Sequence, residues 1–431
     1  MIFSNLDKEM IWHPFTQERT AKNIICAKKA LGAYIYDQND KAYLDLISSW
    51  WVNIHGHANA EIANSIYKQA KTLEHVIFAG FTHETAINLC KSLRTILPLK
   101  LAKFFFSDNG STSVEVAIKM AYQYWRNLGY RDKSIFLSFE GGYHGDTFGA
   151  MSVGKKSGFH DQFKDLFFKV LAIPYADTWD DDREIEAKET QAIKVLQKYL
   201  KQYKGKIAAI VLEPLIQGAG GMRVCRVEFL QNIIKLVREN EILIIFDEVM
   251  TGFGRTGTHF AFEKLSDITP DFLCLSKGIT GGFLPLALTI TGDNIYEAFL
   301  GDDFSTAFAH GHSYTANPLA CSAAIASFNL LMKAECKAAI QNINDTHHAG
   351  IKFLKKQCAL IEKPRIIGTI SAFDVKVPKD LVPTISAKLL SEGLLLRPLS
   401  NTIYLLPPYC ISKKELENAY DKIGEVLNSF R

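Results

Sequence analysis

Two side chains of opposite charge each follow a short apolar run in the middle of the chain. Asp247 ends the run over residues 242–246, and Lys277 comes just after the run 272–275. Runs this short and this rich in Ile and Leu indicate strands that are buried on both faces. The carboxyl end of such a strand is where open α/β sheets bind their ligands. A buried carboxylate needs a partner, so Asp247 is predicted to lie in a binding site.

The two side chains meet the requirements of pyridoxal phosphate chemistry. A carboxylate beside the ring nitrogen raises the pKa of that nitrogen, and the protonated ring then acts as an electron sink. A lysine that can become a neutral amine holds the aldehyde as a Schiff base and later moves a proton at the substrate carbon. We assign the first role to Asp247 and the second to Lys277. Taken singly, Asp247 could cap a turn and Lys277 could be one of 49 basic residues at the surface. Together they favour the cofactor.

Groups that could hold a phosphate and a flat ring follow two earlier predicted strands. One strand leads to Gly110 and Ser111, just before a periodic helix pattern that begins at Val114. Backbone N–H groups and the dipole at a helix start favour a phosphate, although a serine there is also an ordinary cap. The next strand leads to Tyr143 in a glycine-rich loop, where its ring is suited to contact a flat ligand.

The amino-acid composition limits the classes of protein to which the chain can belong. With 431 residues, 48% of them hydrophobic and 22% charged, the chain is typical of a globular protein with two domains. A net charge of +3 without a long basic run argues against a nucleic acid partner. The N-terminus lacks a signal-peptide pattern, and no apolar run approaches the roughly 20 residues of a membrane helix. The eight cysteines include no CxxC pair, which is typical of buried thiols in a reducing compartment. We expect a cytoplasmic protein with no membrane partner.

Strand and helix patterns alternate from about residue 60 to 320, which predicts an α/β fold with a large, doubly wound, mostly parallel sheet. We assign residues 56–324 to this large cofactor-binding domain. A hairpin pattern over 32–45 and mixed patterns after 325 predict a smaller α+β domain formed by both termini. Its two parts are residues 1–55 and 325–431.

Three further groups of residues admit two interpretations each. Trp50 and Trp51 could be core residues or a stacking wall for a flat ligand. His55 and His57 flank a glycine, but no third ligand with metal spacing lies near, so no metal is predicted. Arg397 follows an apolar strand and could pair with a substrate carboxylate or with a surface acid.

With these residues in place, the chain resembles the class III, ornithine-type aminotransferases, which are pyridoxal phosphate enzymes of fold type I. The motifs that carry this resemblance are Asp247, Gly252-Phe-Gly-Arg-Thr-Gly257, Ser276-Lys277-Gly278 and Glu213-Pro214. Other motifs are similar to the branch of that class that acts in biotin synthesis. These are Trp12-His-Pro-Phe-Thr16, Ser48-Ser-Trp-Trp51, Tyr143-His-Gly-Asp-Thr-Phe-Gly-Ala-Met-Ser152, Gln217-Gly-Ala-Gly-Gly-Met222, Arg397-Pro and Tyr404-Leu-Leu-Pro-Pro-Tyr409.

The resemblance implies a role for each cofactor residue. Lys277 would form the Schiff base with pyridoxal phosphate, and Asp247 would pair with its ring nitrogen. Gly110 and Ser111 would hold the phosphate at the helix start, and Tyr143 would stack on the ring.

The resemblance also implies a homodimer with shared active sites. His312 and Ser313 occupy positions from which the family's phosphate contacts reach the partner subunit's cofactor. The implied substrate-binding residues are Phe15, Trp50, Tyr143, Lys277, Gly311 and Arg397, with Arg397 on the carboxylate of the keto acid.

The implied reaction is the transamination of 8-amino-7-oxononanoate to 7,8-diaminononanoate in biotin biosynthesis, with S-adenosylmethionine as the amino donor. Two departures from the branch are Phe15, where a tyrosine is usual, and His312-Ser313, where a Pro-Thr pair is usual. The lost hydroxyl at Phe15 leaves lysine open as the donor. Another ω-amino acid or ornithine-type aminotransferase is an alternative that the paired tryptophans disfavour. A catalytically silent cofactor-binding scaffold is a further alternative, against which the intact Lys277 and Asp247 argue.

Overall fold

The computed structural model describes residues 2–21, 24–154 and 157–430. Over this part of the chain the strands, β1 to β16 in chain order, are Ala27–Leu31, Tyr34–Asp37, Ala42–Asp45, Lys103–Ser107, Ile135–Phe139, Val170–Ile173, Ile207–Leu212, Ile216–Gln217, Arg223–Val224, Leu243–Asp247, Phe272–Leu275, Ala287–Thr291, Ile361–Ile367, Ile370–Val375, Leu394–Leu395 and Thr402–Leu405. The right-handed α-helices, α1 to α12, are Ile2–Met10, Ala60–Ala70, Glu84–Arg94, Gly110–Asn127, Phe148–Val153, Ile185–Gln202, Val227–Glu239, Asp293–Tyr296, Pro318–Leu331, Ala334–Gln357, Val382–Ser391 and Lys413–Asn428.

A seven-stranded sheet forms the centre of the molecule, with the strand order β4-β12-β11-β10-β7-β5-β6. Only β12 runs antiparallel to its neighbours, β11 and β4, so the sheet is mostly parallel. Every residue of β5, β7, β10 and β11 is buried, as expected for strands covered on both faces. The predicted α/β fold with a large, mostly parallel sheet is confirmed.

Helix α4 packs on the strands that end at this sheet's centre, β7, β10 and β11. It begins at Gly110, four residues before the predicted start at Val114. The reason is a capping box, in which the Asn109 side chain accepts from the Thr112 N–H and the Thr112 hydroxyl accepts from the Asn109 N–H. A polar cap marks this helix start, whereas apolar periodicity only marks where the helix meets the sheet.

Strands from the two ends of the chain share a smaller sheet. Its order is β1-β2-β3-β15, and β3 pairs in parallel with β15. The predicted hairpin is formed by β2 and β3. A three-stranded antiparallel sheet, β13-β14-β16, lies in the C-terminal part of the chain, where α10 packs on β13 and β14. Both termini therefore contribute to one α+β region, while the boundaries 1–55, 56–324 and 325–431 stay a prediction.

Length and apolar composition single out one helix pair as a membrane-span candidate. No single helix in the described ranges is long and apolar enough to cross a bilayer. The pair α9 and α10 passes such a test only together, and the two helices are bent by 71° at their junction.

His347 on α10 is a fully buried histidine that gives the fold a pH dependence. Its Nδ1 lies 2.7 Å from the Tyr420 hydroxyl and its Nε2 lies 3.1 Å from the Thr369 carbonyl oxygen. A carbonyl can only accept, so the Nε2 of His347 carries a proton and donates to Thr369. Burial lowers the pKa of His347 to about 3.

The lowered pKa predicts a loss of stability in acid. The unfolded chain binds a proton at this histidine near pH 6.5, whereas the folded chain does not until about pH 3. The free energy of unfolding should therefore fall by up to about 1.4 kcal/mol per pH unit below pH 6.5 because of this residue. Urea unfolding at pH 7, 6 and 5 should show a shallower pH slope for His347→Gln than for the wild type. His348→Gln, at the exposed neighbour, should keep the wild-type slope. Equal slopes for all three proteins would contradict the assignment.

Candidate active site

The carboxyl ends of β7, β10 and β11 meet at one edge of the large sheet. Glu213 follows β7, Asp247 ends β10, and Lys277 follows β11 after one serine. A cavity of about 160 Å³ opens at this edge. Its lining includes the predicted cofactor residues Gly110, Ser111, Tyr143, Asp247 and Lys277, together with Trp51, His144, Asp146 and Glu213.

The Lys277 amine stands among aromatic and charged neighbours in this cavity. Its Nζ lies 4.6 Å from the centre of the Trp51 ring. Burial lowers the pKa of Lys277, an effect that the charges of Asp247 and Glu213 oppose and that of Arg255 reinforces. The lowered pKa makes the neutral, nucleophilic amine more accessible than in an exposed lysine.

Asp247 is paired with a histidine that no sequence signal had singled out. The Oδ2 of Asp247 lies 2.8 Å from the Nδ1 of His144, and both side chains are buried. The other oxygen accepts from the backbone N–H of Val249 at 3.0 Å. Burial acts to lower the pKa of His144, but the hydrogen bond to Asp247 and its charge outweigh burial and raise it. The Asp247 carboxylate and the His144 ring thus form a buried pair on the wall of the cavity.

Glu213 ties together two loops that border the cavity. One carboxyl oxygen accepts from the Tyr143 N–H at 3.2 Å and the other from the Gly218 N–H at 2.8 Å. Burial raises the pKa of Glu213 to about 7. The sequence singled out Glu213 only as part of the Glu213-Pro214 motif, and the structure adds that it lines the same cavity as Asp247 and His144.

The start of α4 offers free backbone donors to the same cavity. The cap at Asn109 takes the Thr112 N–H, and the first N–H groups of a helix have no partner within it, which leaves those of Gly110 and Ser111 for a ligand. The Ser111 hydroxyl already accepts from the backbone N–H groups of Asp146 and of the next residue, at 2.8 and 2.9 Å. An added Cβ at Gly110 would lie 2.5 Å from Val249, so glycine is required where the chain packs this closely.

A second, larger cavity of about 500 Å³ adjoins the first, and Lys277 and Tyr143 line both. Arg397 lies on its wall and forms no ion pair with any residue that the structure describes. The guanidinium carbon stands 4.3 Å from the centre of the Trp50 ring. Phe15 packs edge-on against Trp50, with 5.9 Å between ring centres.

Trp50 and Trp51 sit on a four-residue turn, Ser48–Trp51, that has the left-handed helical sense. The four φ angles are 49°, 44°, 71° and 72°, and none of the residues is glycine. This conformation costs about 1–2 kcal/mol per residue. Trp51 is 5% exposed and packs in the core while its ring also borders both cavities, whereas Trp50 is 39% exposed and borders only the second of them.

Three predicted residues do not reach either cavity within this chain. Gly311, His312 and Ser313 lie in the loop before α9 and are absent from both linings. The His312 N–H donates to the Thr315 hydroxyl at 3.1 Å, which closes a local turn.

The cavity residues that were not predicted include His144, Asp146 and Phe159. His144 and Asp146 stand inside a motif quoted for the resemblance, so their position beside Tyr143 was the signal that could have found them. Phe159 carries no such signal, because only packing against Phe15 and Tyr143 places it there.

A half-buried lysine near a buried carboxylate and histidine at the edge of a fold type I sheet defines a pyridoxal phosphate-type transferase site. Residues 16–427 match the family described as Aminotransferase class-III, and the chain belongs to that family.

Relatives with one name match nearly the whole chain. The adenosylmethionine-8-amino-7-oxononanoate aminotransferase of Synechococcus elongatus is 48% identical over 423 residues, which cover 97% of this chain and 98% of the relative. The enzyme of the same name from Helicobacter pylori is 41% identical, covering 99% and 98%.

Solved structures agree with the sequence relatives. The crystal structure of the aminotransferase of that name from Methanocaldococcus jannaschii superposes with a TM-score of 0.91 at 36% identity, covering 99% of each chain. An amine transaminase from an uncultivated Pseudomonas species in its PLP-bound form superposes with a TM-score of 0.90 at 29% identity, covering 97% of this chain and 98% of that one.

Proposed function

We propose that the protein is a transaminase that converts 8-amino-7-oxononanoate to 7,8-diaminononanoate in biotin biosynthesis, with S-adenosylmethionine as the amino donor. The donor's amino carbon becomes a carbonyl, and the 7-oxo carbon of the acceptor becomes the second amine. The observation that carries the proposal is the placement of Lys277 and Arg397 on one aromatic-lined cavity, where an amine reacts beside a carboxylate anchor. The names of the relatives from Synechococcus elongatus and Helicobacter pylori support this choice of substrates.

Pyridoxal phosphate is the cofactor that the first cavity fits. The cavity combines a lysine of lowered pKa, a buried carboxylate supported by a histidine, and free N–H groups at a helix start. Lys277 would attach the cofactor, Asp247 would face its ring nitrogen, Tyr143 would stack on the ring, and Gly110 and Ser111 would bind its phosphate. The chemistry that the cofactor supplies when bound is storage of the amino group and delocalisation of an electron pair.

The chain's own residues control the proton transfers. Lys277, as a neutral amine, would remove the proton from the donor's amino-bearing carbon in the first half-reaction and would deliver a proton to the 7-oxo carbon of the acceptor in the second. The contact with His144 holds the Asp247 carboxylate in place, where it would favour a protonated ring nitrogen of the cofactor. The Trp51 ring beside Lys277 limits the access of water to the amine.

The second cavity suits a long keto acid. Arg397 is placed to bind the carboxylate in a two-point contact, and its contact with Trp50 fixes the plane of the guanidinium. Aromatic side chains between Arg397 and Lys277 cover the stretch that a chain of methylene groups would occupy. They are Phe15, Trp50, Tyr143 and Phe159.

Replacing Arg397 with leucine should weaken acceptor binding by about 10- to 100-fold, because a charge-assisted hydrogen bond contributes about 1.5–3 kcal/mol. Apparent dissociation constants from single-turnover reactions would measure the change. The methyl ester of 8-amino-7-oxononanoate lacks the carboxylate charge and should bind the wild type and Arg397→Leu alike. An equal loss for the acid and the ester would mean that Arg397 supports the cavity without binding the carboxylate.

The donor is tested by a half-reaction. Purified enzyme loaded with pyridoxal phosphate would be mixed separately with S-adenosylmethionine, lysine and ornithine while the absorbance of the bound cofactor is followed. Bleaching by S-adenosylmethionine alone supports the proposal. Bleaching by lysine alone assigns lysine as the donor and links the change to Phe15, for which Phe15→Tyr is the matched variant. A response to ornithine alone contradicts the proposed function.

We propose in addition a homodimer in which Gly311, His312 and Ser313 complete the active site of a second copy. The proposal is supported by their position outside both cavities of their own chain. Several large apolar side chains elsewhere on the surface are also exposed and suit contact with a second copy. They include Ile77, Phe81, Phe304 and Tyr314. Sedimentation at micromolar concentration should show a dimer, and a monomer with full activity would contradict the shared site.

We propose the cytoplasm as the location, because unpaired and mostly buried cysteines are typical of a reducing compartment. All eight cysteines are free thiols, and burial raises the pKa of Cys225, Cys274 and Cys321. Raised thiol pKa values make the cysteines poor nucleophiles, in keeping with structural residues.

A further inference from the structure

The left-handed turn Ser48–Trp51 carries two aromatic walls of the active site. Trp50 stands 4.3 Å from the Arg397 guanidinium carbon, and the ring centre of Trp51 stands 4.6 Å from the Lys277 amine. Four consecutive positive φ angles without a glycine form a conformation that persists only where surrounding contacts hold it. The contacts that hold this turn therefore decide where both rings stand.

One carboxylate, that of Asp45 at the end of β3, makes several of these contacts. Its Oδ1 accepts from the backbone N–H groups of Ile47 at 3.3 Å and Ser49 at 3.0 Å. Its Oδ2 accepts from the Ser49 hydroxyl at 2.8 Å and lies 2.9 Å from the Nε2 of His57. The Asp45 side chain is fully buried. A buried charge is tolerated where every oxygen has donors, and here those donors belong to the turn and to one histidine.

The second ring nitrogen of His57 also has a polar partner. The Nδ1 of His57 lies 3.0 Å from the Nδ2 of Asn53, just after the turn. Asp45 and His57 line neither cavity, so neither touches a substrate directly. Their effect on the site must pass through the turn.

We propose that Asp45, oriented by His57, is a positioning residue for substrate binding that fixes the left-handed turn and thereby places Trp50 and Trp51. This role rests on the proposed function, since it concerns the substrate cavity of that site. Without the carboxylate, the backbone of Ser49 loses its acceptor and the strained turn relaxes towards ordinary φ values. The two rings then leave the positions that border Lys277 and Arg397.

The test compares Asp45→Ala with a matched control on the same sheet. Asp37, at the end of β2, also holds a turn, since it accepts from the N–H groups of Asn39 and Lys41 and from the Tyr43 hydroxyl. That turn faces neither cavity. Asp45→Asn is a second variant, which keeps the side-chain volume and one acceptor oxygen. It can be measured if the alanine variant does not fold.

Two measurements are made on each full-length variant. Single-turnover half-reactions with donor and acceptor separate apparent dissociation constants from limiting rates. For Asp45→Ala we expect affinity to fall at least about tenfold while the limiting rate changes less than about threefold, because ring positions are lost but Lys277 remains. Hydrogen exchange over residues 46–54 should become faster in Asp45→Ala and, to a smaller extent, in Asp45→Asn. Asp37→Ala should show neither change.

The possible results separate the proposed role of Asp45 from the proposed function of the enzyme. Unchanged exchange at 46–54 in both Asp45 variants would overturn the proposal, as would faster exchange with unchanged substrate affinity. If Asp37→Ala lost as much substrate affinity as Asp45→Ala, the loss would be explained by general destabilisation, and the proposal would be overturned. If the wild type fails to react with the proposed substrates, the proposed function fails, and the exchange measurement still decides whether Asp45 holds the turn.

Discussion

Replacing Lys277 with alanine is expected to lower turnover by at least about 10⁴-fold, because one side chain supplies both the attaching amine and the proton carrier. Binding of pyridoxal phosphate should persist, since the contacts offered by Asp247, Gly110 and Tyr143 remain. A readout that does not depend on turnover is available. Treatment with borohydride followed by mass spectrometry should find the cofactor attached to the Lys277 peptide of the wild type and to no peptide of the variant.

The matched control for this prediction is Lys133→Ala. Lys133 is buried and, as at Lys277, burial lowers its pKa, but it donates to the carbonyl of Glu241 and lies over the Trp125 ring, away from the cavity. Loss of this lysine should reduce stability and leave both half-reactions intact. A Lys277→Ala enzyme with a near-normal rate would remove Lys277 from the proposed mechanism.

Replacing Asp247 with asparagine is expected to lower turnover on the order of 10³-fold, the scale seen when one preorganised electrostatic contact is removed. The substitution keeps the volume and takes away the charge opposite His144. The pKa of His144, which the carboxylate raises, should then fall because burial is no longer opposed. Titration of the His144 ring by NMR would follow that change independently of activity.

Asp271→Asn is the control for Asp247→Asn. Asp271 is equally buried on the same sheet but at the amino end of β11, where it accepts from the Ile244 N–H and from Arg238. Its loss should destabilise the fold without a selective effect on the chemical step. If both variants lost activity in the same proportion as stability, Asp247 would have a structural role alone.

Local patterns were enough to find the ends of the central strands and the residues that follow them. Asp247 and Lys277 each come directly after a fully buried run, and such runs must be strands of the central sheet because no other element of that length is apolar on both faces. The helix start at Gly110 was located to within one turn, since its polar cap lies outside the apolar repeat. Each of these signals comes from residues that are close to one another in the sequence.

The sequence contains no comparable signal for contacts between segments that are far apart in the chain. His144 and Asp247 are 103 residues apart in the chain, and only the adjacency of β5, β7 and β10 in the sheet brings them to 2.8 Å. The turn Ser48–Trp51 contains no glycine, so nothing in its residue types announces a left-handed backbone.

The sequence by itself determined the α/β fold, the cofactor lysine and carboxylate as candidates, and the family to which their motifs belong. Hydrophobic runs and chain-local caps encode these features, because burial and capping act over a few residues. The tertiary structure alone decided that His144 pairs with Asp247, that Trp50 and Trp51 both border the second cavity, and that Arg397 lies on the wall of that cavity. Each of these depends on a close approach between segments far apart in the chain, which only the packed sheets and their connections produce.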